Sequence, residues 1–232
     1  MYSAEIYPTE PERDIMYTSW LKFLNEERNR LPQIYCDMDG VLVDFETGVV
    51  NQININLLDN SIPDRKPTGG ITSMGRIRKA LRAADQELQI DVTDLRKGGG
   101  SNSKAVRSYM YKNFGNDIEF WSNLPEMQGG QELWNFISSY DPYILTSPMD
   151  EGSQVGKRAW LAKHLSPQPT NVYMSHDKWK WAMTDGRPNV LIDDWDKNLI
   201  PWAENGGIAI RCAFGDSASA ISQLKELGFE AK

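Results

Sequence analysis

Two aspartates separated by one residue, Asp37 and Asp39, end an apolar run and are followed directly by Gly40. Side chains at this spacing point to the same side of a strand or of its extended exit, so both carboxylates can face one pocket. Two carboxylates held this close repel each other unless a cation lies between them or one keeps its proton. Gly40 allows the chain to turn away at once and leaves room for a ligand. The pattern fits a site for a divalent metal and a phosphoryl group.

The same residues also occur in plain surface turns, where aspartate and glycine are common and solvated. A calcium-binding EF-hand loop is another alternative, but Val41 and Leu42 stand where such a loop needs a ligand and a glycine. Whether the aspartate pair does chemistry therefore depends on the polar residues at the other strand ends.

Apolar and β-branched runs of strand length recur along the chain, and stretches with helical periodicity separate the later ones. The predicted strands are 33–36, 143–146, 171–174, 190–193 and 208–211, and the predicted helices between or after them are 131–140, 153–165 and 216–227. Strands that alternate with helices indicate a parallel sheet covered on both faces. The predicted fold class is α/β, with a Rossmann-like parallel sheet core.

Roughly a hundred residues separate the first two predicted strands, far more than a crossover helix needs. This gap predicts an inserted cap, with helices at 45–58, 73–88 and 104–114 and loops at 63–70 and 97–103. The predicted domains are an N-terminal helical extension (1–30), an α/β core (31–45 and 125–232) and a small, mostly helical cap (46–124).

Composition restricts the partners and the compartment. The chain has 232 residues, 40% of them hydrophobic and 25% charged, as in ordinary globular proteins. No apolar run of about 18 residues exists, so no membrane partner is expected. The polar, acidic start does not resemble a signal peptide, and Cys36 and Cys212 lie in apolar runs as reduced core residues would, so we expect a cytoplasmic protein. The net charge of −7 argues against a nucleic-acid partner, but not against a small phosphorylated substrate.

Three further motifs follow predicted strands. Thr146 and Ser147 bring two hydroxyls that could bind a phosphate, although a structural turn is the more common use of such residues. Lys178 could neutralise a phosphate and a carboxylate together, or be a solvated lysine at a helix start. Asp193 and Asp194 end a run of three apolar residues, and acids at the end of a buried strand need a partner.

The order of these motifs along the chain resembles the haloacid dehalogenase-like phosphohydrolase superfamily from about residue 33 to the C-terminus. Within it, segments 37–45, 120–125, 145–148, 157–161 and 191–194 resemble the 5′(3′)-deoxyribonucleotidase family. The resemblance implies a HAD-like fold and a phosphomonoesterase that uses an aspartyl-phosphate intermediate and Mg²⁺.

The resemblance also implies a role for each site residue. Asp37 would be the nucleophile and Asp39 the general acid and base. Mg²⁺ would be held by Asp37, by the backbone carbonyl of Asp39 and by the Asp193-Asp194 pair, with Asp194 as the ligand and Asp193 orienting the site. The remaining residues would bind substrate: Thr146 and Ser147 the phosphate, Lys178 the charge, and Phe45 with Trp121 the nucleoside.

The sequence departs from the family in two places. Residues 185–188 lengthen the stretch between Lys178 and Asp193, which leaves Lys180 as a rival for the lysine role. The cap loop and the N-terminal extension match no motif of the family.

The predicted function is that of a Mg²⁺-dependent phosphomonoesterase. Its predicted substrate is a small phosphomonoester of the nucleoside monophosphate class, and a deoxyribonucleotide is favoured. Two alternatives stay open: a phosphatase for another small phosphoester such as a sugar phosphate, and a non-catalytic nucleotide- or protein-binding module. The sequence also leaves open whether the protein forms a homodimer.

Overall fold

The computed structural model describes residues 31–93 and 101–231, and of residues 101–103 only the backbone. The predicted N-terminal helical extension (1–30) and residues 97–100 of the predicted cap loop lie outside the described residues. The described residues from 33 onward, 33–93 and 101–231, belong to one compact unit. Within the described ranges, no helix is both long and apolar enough to cross a bilayer.

Strands and helices alternate along the chain. The strands are β1 (Ile34–Cys36), β2 (Tyr143–Thr146), β3 (Val172–Met174), β4 (Met183–Thr184), β5 (Arg187–Pro188), β6 (Val190–Asp193) and β7 (Ile208–Arg211). The helices are α1 (Phe45–Leu58), α2 (Ser73–Ala83), α3 (Ser101–Asn113), α4 (Ile118–Ser122), α5 (Gly130–Ile137), α6 (Glu151–His164), α7 (Asp196–Glu204) and α8 (Ser217–Glu226). Short 3₁₀ helices lie at Ser138–Tyr140, Lys178–Trp181 and Ala213–Gly215.

Five strands form a parallel sheet in the order β3-β2-β1-β6-β7. Counted along the chain, these five have the order 3-2-1-4-5 of a Rossmann-like sheet. Every residue of β1 and β6 is buried, as expected for central strands with helices on both faces. One hydrophobic cluster is formed by Tyr35, Leu145, Ala182, Leu191, Leu199 and Trp202.

The two cysteines belong to this buried interior. Cys36 and Cys212 are both free thiols and both fully buried. Burial raises the pKa of the Cys36 thiol well above its ordinary value and that of Cys212 to about 12. Both are therefore protonated core residues rather than reactive thiols.

The insertion between β1 and β2 is mostly helical. Helix α1 begins where predicted because the Asp44 carboxylate accepts hydrogen bonds from the backbone N–H and the hydroxyl of Thr47. Helix α2 ends at Ala83, not at residue 88 as predicted, because Asp85 adopts a left-handed conformation with φ of +52°. Helices α2 and α3 pack against each other. The predicted fold class, a Rossmann-like α/β core with a helical insertion after the first strand, is confirmed.

A buried arginine connects α1, α2 and the loop between them. Arg78 is 5% exposed, and its guanidinium donates to two carbonyls of the last turn of α1, two carbonyls of the loop and one loop carboxylate. The acceptors are the carbonyl oxygens of Asn56, Leu57, Asp59 and Ile62 and the carboxylate of Asp64, at 2.7–3.1 Å. These bonds satisfy carbonyls that a helix end would otherwise leave unpaired.

The end of the predicted cap packs on the core. Helix α4 lies against α6, and the Trp160 indole of α6 donates to the Leu124 carbonyl at 2.8 Å. Within the segment, the buried Trp121 indole donates to the Phe114 carbonyl at 2.7 Å. Residues 114–124 are thus held to α6, so the helical insertion and the core share one interior along this segment.

The predicted insert 185–188 forms the turn and second strand of a small antiparallel hairpin, β4–β5. Asp185 and Gly186 occupy the turn with φ of +51° and +76°, the conformations of a tight two-residue hairpin turn. The extra length between Lys178 and Asp193 is therefore taken up by this hairpin.

Candidate active site

The catalytic candidates meet where the sheet order reverses. Strand β1 lies between β2 and β6, and Asp37, directly after β1, donates its N–H to the Ile192 carbonyl of β6 at 2.8 Å. Asp193 ends β6, and Thr146 ends β2 on the other side. In parallel sheets, ligands bind in the crevice outside the carboxyl ends of the strands at this reversal. The structure thus brings the three predicted strand-end motifs to one crevice.

Gly40 turns the chain away from this crevice. Its φ is +77°, and its N–H donates to the Val43 carbonyl at 2.8 Å, which closes the turn. A Cβ at this position would stand 2.2 Å from a carboxylate oxygen of Asp194. Both the backbone conformation and the close approach of Asp194 therefore require glycine here.

We expect Gly40→Ala to abolish most activity, because the new methyl group must displace the Asp194 carboxylate. Gly186→Ala is the matched control, since Gly186 has nearly the same φ, +76°, but a Cβ added there would meet no atom within 4 Å. The backbone strain, on the order of 1 kcal/mol, is common to both variants. Thermal unfolding and phosphate release measured on both variants check this. Equal activity of the two would show that the position of Asp194 is unimportant.

Three carboxylates come together in the crevice. Asp37, Asp193 and Asp194 each offer an oxygen, and these atoms lie within 4.8 Å of one another. Burial, and then the neighbouring Asp37, Asp193 and Asp39, raise the pKa of Asp194 to about 8. Within the described ranges, Asp37 Oδ1 and Asp39 Oδ1 are also buried without a hydrogen-bond partner.

This donor set fits a divalent cation. Four formally negative carboxylates, Asp37, Asp39, Asp193 and Asp194, stand against two buried ammonium groups, Lys157 and Lys178, which leaves a formal charge of −2. Hard carboxylate oxygens are the ligands that Mg²⁺ prefers. A divalent cation bound by the carboxylates of this cluster would neutralise the remaining charge.

Asp193 is oriented by its neighbours on all sides. Its Oδ1 accepts from the Trp195 N–H at 2.9 Å, Asn198 donates to both of its oxygens, and Lys178 donates to Oδ2 at 2.6 Å. Burial, and then the charge of Asp37, raise the pKa of Asp193 to about 6, although Lys178 opposes the shift. Asp194 has no such hydrogen bonds to its carboxylate among the described residues, so of the pair it is the one with oxygens to spare.

The structure distinguishes the two candidate lysines. Lys178 is 1% exposed, and its Nζ lies 2.8 Å from Asp37 Oδ1, an ion pair without hydrogen-bond geometry. Burial alone would lower the pKa of Lys178, but Asp37 and Asp193 together more than offset it, so the pKa is raised and the amine stays charged. Lys180 is exposed, and the partner of its ion pair is the exposed Asp177, at 2.8 Å, rather than a carboxylate of the cluster.

A second buried lysine was not predicted as a site residue. Lys157 of α6 is fully buried and donates to Asp39 Oδ2 at 2.6 Å, to Thr146 Oγ1 at 2.8 Å and to the Ser147 carbonyl at 2.8 Å. These bonds use its three N–H donors. Burial raises the pKa of Asp39, and the charge of Lys157 partly opposes this shift. Lys157 thus fixes the Asp39 carboxylate beside the hydroxyl of Thr146.

The hydroxyl pair after β2 is divided between two tasks. Thr146 is fully buried and accepts from Lys157, whereas the Ser147 hydroxyl donates to the Ser175 carbonyl at 3.1 Å. The hydroxyl of Ser147 therefore joins the turns after β2 and β3. Because Thr146 Oγ1 accepts from Lys157, its own hydroxyl hydrogen is left to donate, and rotation about the C–O bond sets the direction in which it points.

The two predicted nucleoside contacts differ in accessibility. Phe45 is half-buried at the start of α1 and stacks on Trp121, with ring centroids 5.2 Å apart and an interplanar angle of 12°. Trp121 is only 1% exposed, and the Lys157 ammonium lies 5.1 Å from its ring centroid. The prediction that Trp121 contacts substrate therefore does not fit its burial. Trp121 instead packs against the ring of Phe45 from the buried side.

Comparisons with known proteins give structural neighbours only. No family model matches the chain, and no curated protein does. Similar solved structures include a haloacid dehalogenase-like hydrolase of Streptococcus pneumoniae, with 15% identity, a TM-score of 0.43 and coverage of 83% of this chain and 90% of that one. A phosphonoacetaldehyde hydrolase-like protein of Oleispira antarctica has 12% identity, a TM-score of 0.43 and coverage of 98% and 90%. A HAD-hydrolase of Bacillus subtilis, solved bound to magnesium, has 15% identity, a TM-score of 0.43 and coverage of 78% and 88%.

Proposed function

We propose that this protein is a Mg²⁺-dependent phosphomonoesterase of the haloacid dehalogenase type that hydrolyses nucleoside monophosphates, and deoxyribonucleotides above all. One observation carries the proposal: Asp37 and Asp39 face one crevice, and each has its own buried lysine, Lys178 and Lys157. A site for binding alone would not need a second carboxylate held in place beside a nucleophile. The sequence resemblance to nucleotidases adds the substrate class.

Two chemical steps follow from this arrangement. A carboxylate oxygen of Asp37 attacks phosphorus, the ester P–O bond breaks, and Asp39 as the acid gives its proton to the leaving oxygen. Water then attacks the phosphorus of the aspartyl-phosphate and gives a proton to Asp39, and the bond from phosphorus to the Asp37 oxygen breaks, which releases phosphate and restores the Asp37 carboxylate. The raised pKa of Asp39 suits this exchange, because an acid with a higher pKa is more readily protonated near neutral pH.

The other site residues bind the metal, fix the carboxylates in position and bind the phosphoryl group. Asp37, the Asp39 backbone carbonyl and Asp194 would hold Mg²⁺, whose charge would oppose that of the phosphoryl oxygens. Lys178 keeps Asp37 and Asp193 in fixed positions by contacts of 2.8 and 2.6 Å. Thr146 can donate its hydroxyl hydrogen to a phosphoryl oxygen while Lys157 holds its oxygen. Fixed donors of this kind stabilise a transferring phosphoryl group.

A panel of phosphomonoesters assayed for phosphate release with Mg²⁺ tests the proposal. We expect thymidine or deoxyuridine monophosphate to be hydrolysed better than glucose 6-phosphate or phosphoglycolate. If a sugar phosphate is the best substrate, the phosphomonoesterase chemistry stands, but the proposed substrate class, nucleoside monophosphates, is wrong. If nucleotides bind and no ester is hydrolysed, the protein is a binding module.

Phe45, the first residue of α1, gives a test of the substrate class. We expect Phe45→Ala to lower the ratio of kcat/KM for thymidine monophosphate to that for 2-deoxyribose 5-phosphate by about tenfold, because only the nucleotide has a base to stack. Ile55→Ala is the control, since Ile55 lies on the same helix and is 62% exposed. An unchanged ratio in Phe45→Ala would mean that Phe45 only packs against Trp121.

A further inference from the structure

Two tryptophans that follow catalytic residues in the chain are exposed. Trp195, directly after Asp194, is 57% exposed, and Trp179, directly after Lys178, is 42% exposed. Four other tryptophans, Trp121, Trp134, Trp160 and Trp202, are at most 1% exposed. An exposed tryptophan leaves a large ring surface in water, and such a ring can stack on a ligand. Because both residues directly follow crevice residues in the chain, each is a candidate for a substrate contact.

Trp195 is attached rigidly to the carboxylate cluster. Its N–H donates to Asp193 Oδ1 at 2.9 Å, and its carbonyl accepts from the N–H groups of Asn198 and Leu199 at 2.9 and 3.2 Å, in the first turn of α7. Its Cα lies one peptide unit, about 3.8 Å, from that of Asp194. The backbone that carries the ring is therefore anchored beside the proposed metal ligand, as that of a specificity-determining group must be.

The ring of Trp195 also has surroundings that suit a planar ligand. The Lys197 ammonium lies 4.9 Å from the ring centroid, and the exposure of the residue leaves ring surface open to a second group. The neighbouring segments carry no excess of positive charge, since four cations stand against five carboxylates: Lys178, Lys180, Lys197 and Arg211 against Asp177, Asp193, Asp194, Asp196 and Glu204. The flat face of the ring, rather than a positive field, is therefore what this residue offers to a ligand.

Trp179 is the weaker of the two candidates. Lys180 lies 5.7 Å from its ring centroid, but that ammonium is also paired with Asp177. Its 3₁₀ helix packs against α7, so the two rings belong to neighbouring elements. The backbone of Trp179 has no hydrogen bond to the side chain of a catalytic carboxylate among the described residues, whereas that of Trp195 has a bond to Asp193.

We infer that Trp195, backed by Lys197, is a specificity-determining residue that stacks on the planar leaving group of the substrate, a nucleobase. This rests on the proposed function and deepens it, since it gives the base a second aromatic contact besides Phe45. Stacking on an aromatic ring tolerates any base, because every base has a flat π-face. The contact therefore selects for an aromatic leaving group over a bare sugar.

The test compares two substrates that differ only in the base. In Trp195→Ala we expect the ratio of kcat/KM for thymidine monophosphate to that for 2-deoxyribose 5-phosphate to fall by about tenfold, mostly through KM. Trp195→Phe should restore most of the ratio, because phenylalanine also stacks. Ile200→Ala, a truncation of a 56% exposed residue on the same helix, should leave the ratio unchanged.

Calorimetric binding of thymidine monophosphate and of inorganic phosphate to Asp37→Asn, with and without Trp195→Ala, gives a readout independent of turnover. The inference requires that the nucleotide lose affinity and phosphate keep it. A ratio unchanged by Trp195→Ala, or equal losses for both substrates, would overturn the inference and make Trp195 a support of Asp193. A ratio that falls in Trp179→Ala instead would also overturn it. If wild type hydrolyses neither substrate yet the nucleotide binds through Trp195, the proposed function fails and the contact stands.

Discussion

Asp37→Asn should lower kcat by at least about a hundredfold while the protein stays folded. An amide oxygen cannot form the acyl-phosphate, so the covalent path is lost, and the expected cost is several kcal/mol of transition-state stabilisation. The fold should persist because Asp37 lies among other carboxylates, and the loss of one charge relieves repulsion. Phosphate release and thermal unfolding measured on the same preparation check both parts.

Asp177→Asn is the matched control for this variant. Asp177 is exposed, lies one residue before Lys178 and forms an ion pair with Lys180 in a contact of 2.8 Å. We expect it to change kcat little. If Asp37→Asn keeps more than about a hundredth of the wild-type kcat, Asp37 is not the nucleophile.

Chelation should remove activity, and Mg²⁺ should restore it. The carboxylate cluster carries a formal charge of −2 with its two lysines, and two buried carboxylate oxygens have no hydrogen-bond partner within the described ranges. Ca²⁺ should substitute poorly, because it prefers more ligands at longer distances. Mg²⁺ should also raise the Tm of the folded protein, since a ligand that binds only the native state stabilises it.

The two neighbouring aspartates should respond differently. Asp194→Asn should weaken Mg²⁺ affinity, measured by calorimetry, more than Asp193→Asn does, because the carboxylate of Asp193 is already engaged by Lys178 and Asn198. Asp193→Asn should instead lower the Tm, since it leaves Lys178 with one fewer charged partner. Full activity after exhaustive chelation would contradict the metal assignment.

The strand ends were predictable because their signals are local. Strands β2, β6 and β7 have the predicted bounds, and each is an apolar run closed by a polar residue or a turn. Since parallel strands place their carboxyl ends at one edge, the convergence of Asp37, Thr146 and Asp193 follows from strand order alone. The helix α7 was not predicted, because Pro201 lies inside it and proline ordinarily breaks a helix.

Lys157 was missed because its partners are distant in the chain. Helical periodicity predicts Val155 and Ala159 on the apolar face of this helix, but both are exposed, and Val155 is 54% exposed. The buried face contains Ser153, Gly156, Lys157, Trp160 and Leu161. Lys157 lies four residues after Ser153 and three before Trp160, so all three share one helix face. This spacing is the signal that could have identified Lys157, because a lysine on a buried face needs a charged partner. Asp39, 118 positions away, supplies it.

The tryptophans show what composition cannot decide. Trp121 and Trp195 both lie near motif residues in the sequence, yet one is 1% and the other 57% exposed. The difference arises from tertiary packing: Trp121 faces Phe45, α6 and Lys157, whereas Trp195 stands at the first turn of a helix that covers the sheet. Sequence position alone therefore could not separate an exposed ring from a buried supporting one.

The hydrogen bonds of Arg78 have a consequence for how pH experiments on this protein can be interpreted. Arginine stays charged throughout the accessible pH range, and four of its five acceptors here are backbone carbonyls, which do not titrate. These four hydrogen bonds at the junction of α1 and α2 therefore do not depend on pH, and of the five only the bond to the Asp64 carboxylate involves an acceptor that can be protonated. Phe45 begins α1, and four of the five bonds that anchor the far end of that helix thus persist through a titration. A pH–rate profile is therefore best measured together with thermal unfolding at each pH, so that proton transfer in the crevice is separated from loosening of the insertion.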